Sequence, residues 1–338
     1  MNKEQLKEEI YNPFESMTFT NDRCFLCGVS LDNENKSVEH IFPKWLQNRY
    51  DLWNAKLTIL NKETITYKHL TIPCCKPCNN IHLKKIEDKV DFAVKNGFDE
   101  FKKLDNTTIA QWLMKIKYGL LFKELSLKSD IRNPESQSIL NSKDFDDFKV
   151  LYTFLQSVRF ESKFDIQKPW SILKFQLLSE NEKEYFGHDF IPGKMFCMQM
   201  GEIGIIACFQ DNGMHGDFFK SVSGDFLNFK LHPIQFKELC ARVHYKSSIV
   251  EINPKYLTSF TNHEEGKMSI MSVGESPRHI KEWENEEYAA ILSFHLYGTI
   301  DKKDSLYHEN GEVSSWLYSM SGNIAEYNSL EIGDFKER

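Results

Sequence analysis

Two C-x2-C pairs, Cys24/Cys27 and Cys75/Cys78, bracket the dipeptide Glu39-His40, and Asn79 directly follows the last cysteine. A C-x2-C turn presents two thiolates to one ion, and two such turns complete the closed tetrahedron of structural zinc. Cys74 competes with Cys75, but only Cys75 keeps the two-residue gap to Cys78. The dipeptide inside this staple carries a different chemistry. A neutral imidazole can take a proton from water near pH 7, and a neighbouring carboxylate offers oxygen to a hard divalent ion. Phosphodiester hydrolysis needs those two things, an activated water and a cation on the scissile phosphate. Adjacent strand residues point to opposite faces, so Glu39 and His40 share a site only at a bulge or a strand end.

The run Cys24-x2-Cys27, Glu39-His40-Ile41-Phe42-Pro43-Lys44-Trp45, Cys75-x2-Cys78-Asn79-Asn80 resembles the zinc-containing HNH endonucleases. The resemblance spans roughly residues 18 to 92. It implies an α+β chain opening with a ββα-metal module, a β-hairpin and a helix around one catalytic ion. It further implies His40 as general base, Glu39 and Asn79 as ligands of a Mg2+ or Mn2+ ion, and a structural Zn2+ in the four cysteines. For the middle Asn of the family both Asn54 and Asn61 fall in the right stretch, with Asn61 preferred. His82, three residues after Asn79, shares its face if a helix begins there and is a further candidate ligand. The implied reaction is metal-dependent cleavage of DNA, double-stranded by preference, leaving 5′-phosphate and 3′-hydroxyl ends. HNH modules joined to a second domain resemble bacterial anti-phage effectors, in which a trigger such as an activating protein or a nucleotide signal acts through that domain. Two other readings stay open: an RNA-directed nuclease, and a non-catalytic zinc finger that binds nucleic acid or protein.

Charge distribution favours a phosphate-bearing partner for this segment alone. The chain carries a formal net charge of −7, yet Lys36 to Lys85 holds nine cations against three anions. A basic insert on an acidic chain suits a nucleic-acid backbone better than a uniformly basic surface would.

The elements that must position these residues follow from periodicity. We expect domains at 1–95 (the zinc-stapled module), 96–165 (a helical connection) and 166–338 (a mixed α+β domain for sensing, targeting or oligomerisation as a homo-oligomer). Helices are expected over 80–94, over 109–125 behind a Thr107 or Thr108 cap, over 144–160, from Pro233 to about 245, and over 282–296. Arg132 to Ser136 reads as a loop, 171–178 as a strand, and 194–210 as two strands about a Gly201–Gly204 turn. No run of eighteen apolar residues exists, the charged first ten residues lack a secretory pattern, and the thiols fit a reducing cytoplasm. Cys197, Cys208 and Cys240 lack ligand spacing and read as buried thiols. The eight histidines from His188 to His308 are scattered and read as structural or surface groups.

Overall fold

A computed structural model describes residues 11–16, 19–59, 63–125, 142–164, 168–179, 181–192, 194–251, 254–262, 267–273, 279–296, 306–319 and 321–327. Asn61 and the expected loop at 132–136 lie outside the described residues. In chain order the first half contains α1 (Pro13–Ser16), β1 (Lys36–His40), α2 (Lys44–Arg49), β2 (Lys56–Thr58), β3 (Thr64–Thr66) and β4 (Thr71–Cys75). A wide π-helical turn, Cys78–Leu83, leads into α3 (Lys84–Lys95), followed by α4 (Phe98–Lys103), α5 (Asn106–Glu124), α6 (Ser142–Leu155) and β5 (Glu161–Phe164). The second half contains β6 (Trp170–Leu177), β7 (Tyr185–Phe190), β8 (Met195–Met200), β9 (Ile203–Phe209), α7 (Met214–Ser223), β10 (Lys230–Leu231) and α8 (Pro233–Ile249). It ends with β11 (Val250–Glu251), β12 (Lys255–Asn262), β13 (Lys267–Val273), β14 (His279–Ile280) and α9 (Asn285–His295). The chain is mixed α+β, as expected.

These elements form two compact units, and neither is continuous in sequence. Met1–Asn96, Lys103–Gln167 and Tyr256–Val273 make the first; Gly97–Lys102, Lys168–Lys255 and Gly274–Arg338 make the second. This grouping differs from the expected boundaries at 95 and 165. Most of the helical segment belongs with the cysteine-bearing unit, because α5 is buried on nearly every side and must be enclosed.

The first unit is built around α5. Asp105 caps it, accepting from the Thr108 backbone N–H at 2.9 Å, so the helix starts ahead of the expected Thr107 or Thr108 cap. Trp112, Leu113, Met114, Ile116 and Tyr118 are all buried. Tyr118 stacks on Phe25 at 6.0 Å, which seats the first cysteine pair on the helix. Gly119 lets α5 approach the chain after β1: a Cβ there would lie 2.9 Å from Ile41. From α6, Tyr152 donates through its hydroxyl to the Phe25 carbonyl at 2.9 Å, and Gln156, in the turn just after α6, donates to the Leu26 carbonyl at 3.0 Å. β1 and β4 pair antiparallel, with Lys36 opposite Cys75 and His40 opposite Thr71. A three-stranded sheet, in the order β12-β13-β5, belongs to the same unit, with β13 parallel to β5.

The second unit is a five-stranded sheet in the order β10-β6-β9-β8-β7. β8 and β9 are buried along their whole length, so both faces of the sheet are covered. α8 begins at Pro233 as expected, and His232 caps it through a reciprocal pair with Gln235. Gly204 allows α8 to lie close, since a Cβ there would meet the Phe236 ring at 2.8 Å. β7, α7 and the pair β12–β13 were not legible as elements in the sequence.

Candidate metal centre and catalytic pair

The two C-x2-C turns converge. The Sγ atoms of Cys24, Cys27, Cys75 and Cys78 all lie within 4.8 Å of one another. Each pair sits where local backbone structure aims it. In the first, Gly28 adopts φ +74°, a conformation that favours glycine, and its N–H donates to the Cys24 carbonyl at 2.9 Å. A Cβ at Gly28 would also strike the Tyr11 ring. In the second, Cys75 ends β4 and Cys78 opens the π-helical turn. The spread and the donor atoms suit a structural zinc ion. Cys74, the rival, is fully buried with its sulfur 4.0 Å from that of Cys24, and it does not belong to the set of four.

His40 is the last residue of β1, half-buried, with its ring 5.7 Å from that of Trp53. Burial pushes its pKa below the ordinary value, and the charges of Lys44 and Lys115 push it further the same way. The imidazole is therefore neutral at pH 7, the form a general base needs. Its Nδ1 is buried with no hydrogen-bond partner among the described residues. Asn79, at the start of the π-helical turn, reaches back to β1. Its Nδ2 donates to Ser37 Oγ at 2.8 Å and to the Val38 carbonyl at 3.2 Å. That anchoring turns the amide oxygen the other way.

Glu39 faces away from His40. Strand alternation sends its side chain into the interior, where it is 4% exposed and ion-paired with Lys115 of α5. Lys115 also holds Glu87 of α3 at 2.8 Å and donates to the carbonyls of His40 at 2.5 Å and Ile41 at 3.1 Å. Burial raises the Glu39 carboxyl, Lys115 opposes that rise and Glu87 adds to it. Burial alone would lower Lys115, but the two carboxylates outweigh it and its pKa is raised. One ammonium thus serves two carboxylates beneath the β1 strand end.

Glu39 is engaged on the inner face, and among the described residues no cluster of three or more His, Cys, Asp or Glu ligands includes Glu39, His40 or His82. His82 is half-buried in the π-helical turn, whose larger number of residues per turn shifts it out of the i, i+3 alignment with Asn79 that an α-helix would give. Asn54 accepts from Lys68 at 2.8 Å. Around this pair the basic segment shows its charge to solvent: Lys36, Lys44, Lys56, Lys76, Lys84 and Lys85 are all exposed.

Two features of the structure leave no mark in the sequence pattern. Lys115 looks like an ordinary helix lysine in a one-dimensional reading, and its burial is a tertiary fact. The second is a cluster of His188, His244 and His295 in the other unit, whose ring nitrogens also lie within 4.8 Å of one another. Comparison with known protein families, with characterised proteins and with solved structures found no match to this chain. Among the described residues no helix is long and apolar enough to cross a membrane.

Proposed function

We propose that the first unit is a zinc-stapled HNH endonuclease that hydrolyses DNA, with His40 as the general base. The observation that supports this reading best is a neutral, half-buried imidazole at a strand end, beside a helix start whose Asn79 is tied back to the same strand. His40 takes the proton of the attacking water, and the exposed lysines of the basic segment hold the phosphate backbone. A Mg2+ or Mn2+ ion, when bound, supplies positive charge to the scissile phosphate. Asn79 offers the amide oxygen that its anchored Nδ2 leaves over. Glu39 fits such an ion only after exchanging Lys115 for it.

That ion pair favours a second reading, a zinc module that binds nucleic acid without cutting it. Plasmid and linear-DNA cleavage in Mg2+, Mn2+ or EDTA separates the two. Under the nuclease reading, wild type cuts in metal, and His40→Ala loses roughly 10²- to 10⁴-fold of the rate while keeping its zinc. DNA binding that persists in EDTA, with no cutting in any metal, would replace the nuclease with the binding module.

A further inference from the structure

We propose that His188, His244 and His295 form a second metal site, a three-imidazole cage for a zinc-class divalent ion inside the second unit. The three rings come from three elements, the edge strand β7, helix α8 and the C-terminal end of α9. Their ligand nitrogens fall within 4.8 Å of one another, and their ring centroids are 4.9 to 5.4 Å apart. His244 and His295 are buried and His188 is half-buried. Phe190, 3.7 Å from His244, and Phe294, 4.9 Å from His188, close over them.

An ordinary packed core explains this arrangement poorly. Imidazole is a polar ring that must satisfy two nitrogens, and apolar side chains would fill the same volume without that cost. One hydrogen bond, His244 Nδ1 to His295 Nε2 at 2.9 Å, accounts for one nitrogen of each ring. His295 Nδ1 is buried with no partner among the described residues. Around tetrahedral zinc, with Zn–N near 2.0–2.1 Å, ligand nitrogens sit about 3.3 Å apart. The pair at 2.9 Å need open only slightly, and the third ring need close by at most about 1.5 Å, from separations within 4.8 Å to about 3.3 Å.

The donor set chooses the ion. Three imidazoles without a carboxylate or thiolate suit zinc, cobalt, nickel or copper, and reject magnesium and calcium, which want oxygen. One charge opposes binding: the Lys237 ammonium acts on His295, although Glu184 offsets it and the ammonium sits over the Phe186 ring. Three protein ligands leave the fourth tetrahedral position to water on the half-exposed His188 side. The cage ties the edge strand of the five-stranded sheet to α8 and α9.

The test is a Co2+ titration of the full chain, reduced and stripped of metal. We expect two equivalents per chain. One carries the intense thiolate-to-metal charge transfer of the four-cysteine site, and the other shows only the weaker ligand-field bands of a nitrogen–oxygen site. His188→Gln and His295→Gln should each lose the second equivalent alone, and Cys27→Ser should lose the first alone. A wild-type stoichiometry of one, all of it thiolate-bound, would overturn the proposal without reference to any variant. Retention of both equivalents in the two histidine variants would overturn it as well.

Discussion

At the residue scale the cysteines make the sharpest distinction. Cys74 and Cys75 are neighbours, yet only Cys75 belongs to the converging set of four. Cys75→Ser should therefore lose the ion and much of the unit's stability, because metal affinity and folding are one free energy in such a site. Cys74→Ser should keep the full metal content, measured as zinc per chain on the purified proteins. Lys115 gives a second prediction. Lys115→Met leaves Glu39 and Glu87 facing each other without their cation, and breaking a buried pair in that way costs about 3–5 kcal/mol. Urea unfolding should show that loss, and the double change Lys115→Met with Glu39→Gln should recover part of it. If Lys115→Met were as stable as wild type, the buried trio would not be the support for β1 that its contacts describe.

At the scale of elements, most of what the sequence could express locally was legible. Cysteine spacing is a local signal, and it located both turns of the metal site. Pro233 and the helical stripe of 109–125 located α8 and α5. What failed depends on partners distant in the chain. Asp105, not Thr107 or Thr108, caps α5, since all three offer an oxygen and only the fold decides which faces the open N–H groups. The inward turn of Glu39 required knowing that a helix lysine lay beneath β1. The histidine cluster joins residues with no shared spacing, so no one-dimensional pattern could reveal it.

One element also carries a pH signature. His215, near the start of α7, is buried and its pKa is lowered to about 4, with Lys246 adding to the effect of burial. A lowered histidine stabilises the fold above its unfolded value near 6.5, and that stability is lost as pH falls through about 4. The full loss is on the order of 3 kcal/mol. Beside it, Asp211 accepts from the His215 backbone N–H, and burial raises its pKa to about 6, which works in the opposite direction over the same interval. Wild type should thus show a shallow profile. The Tm of wild type minus that of His215→Gln should fall steadily from pH 7 to pH 4, and a constant difference would contradict the burial of that imidazole.

At the scale of the whole molecule, sequence order and spatial grouping part company. The cysteine-bearing unit includes Tyr256–Val273, which follows nearly ninety residues of the other unit, Lys168–Lys255. Within it β5 pairs along Lys267–Ile270 of β13. A chain ended after Gln167 would contain all four cysteines of the metal set, His40 and Asn79, yet leave β5 without its partner. It should melt at lower temperature and release zinc to a chelator faster than the full chain. Equal behaviour would show that the sheet β12-β13-β5 adds nothing to the metal-bearing core.

That interleaving also sets an order of events in the cell. On a ribosome the four cysteines, His40 and Asn79 emerge early, but the strand that completes their unit arrives only after most of the chain has been made. At ordinary elongation rates the interval is on the order of ten seconds. A chain abandoned before Val273 therefore never carries a finished first unit, and any activity housed there begins only once Lys168–Lys255 of the second unit has been translated.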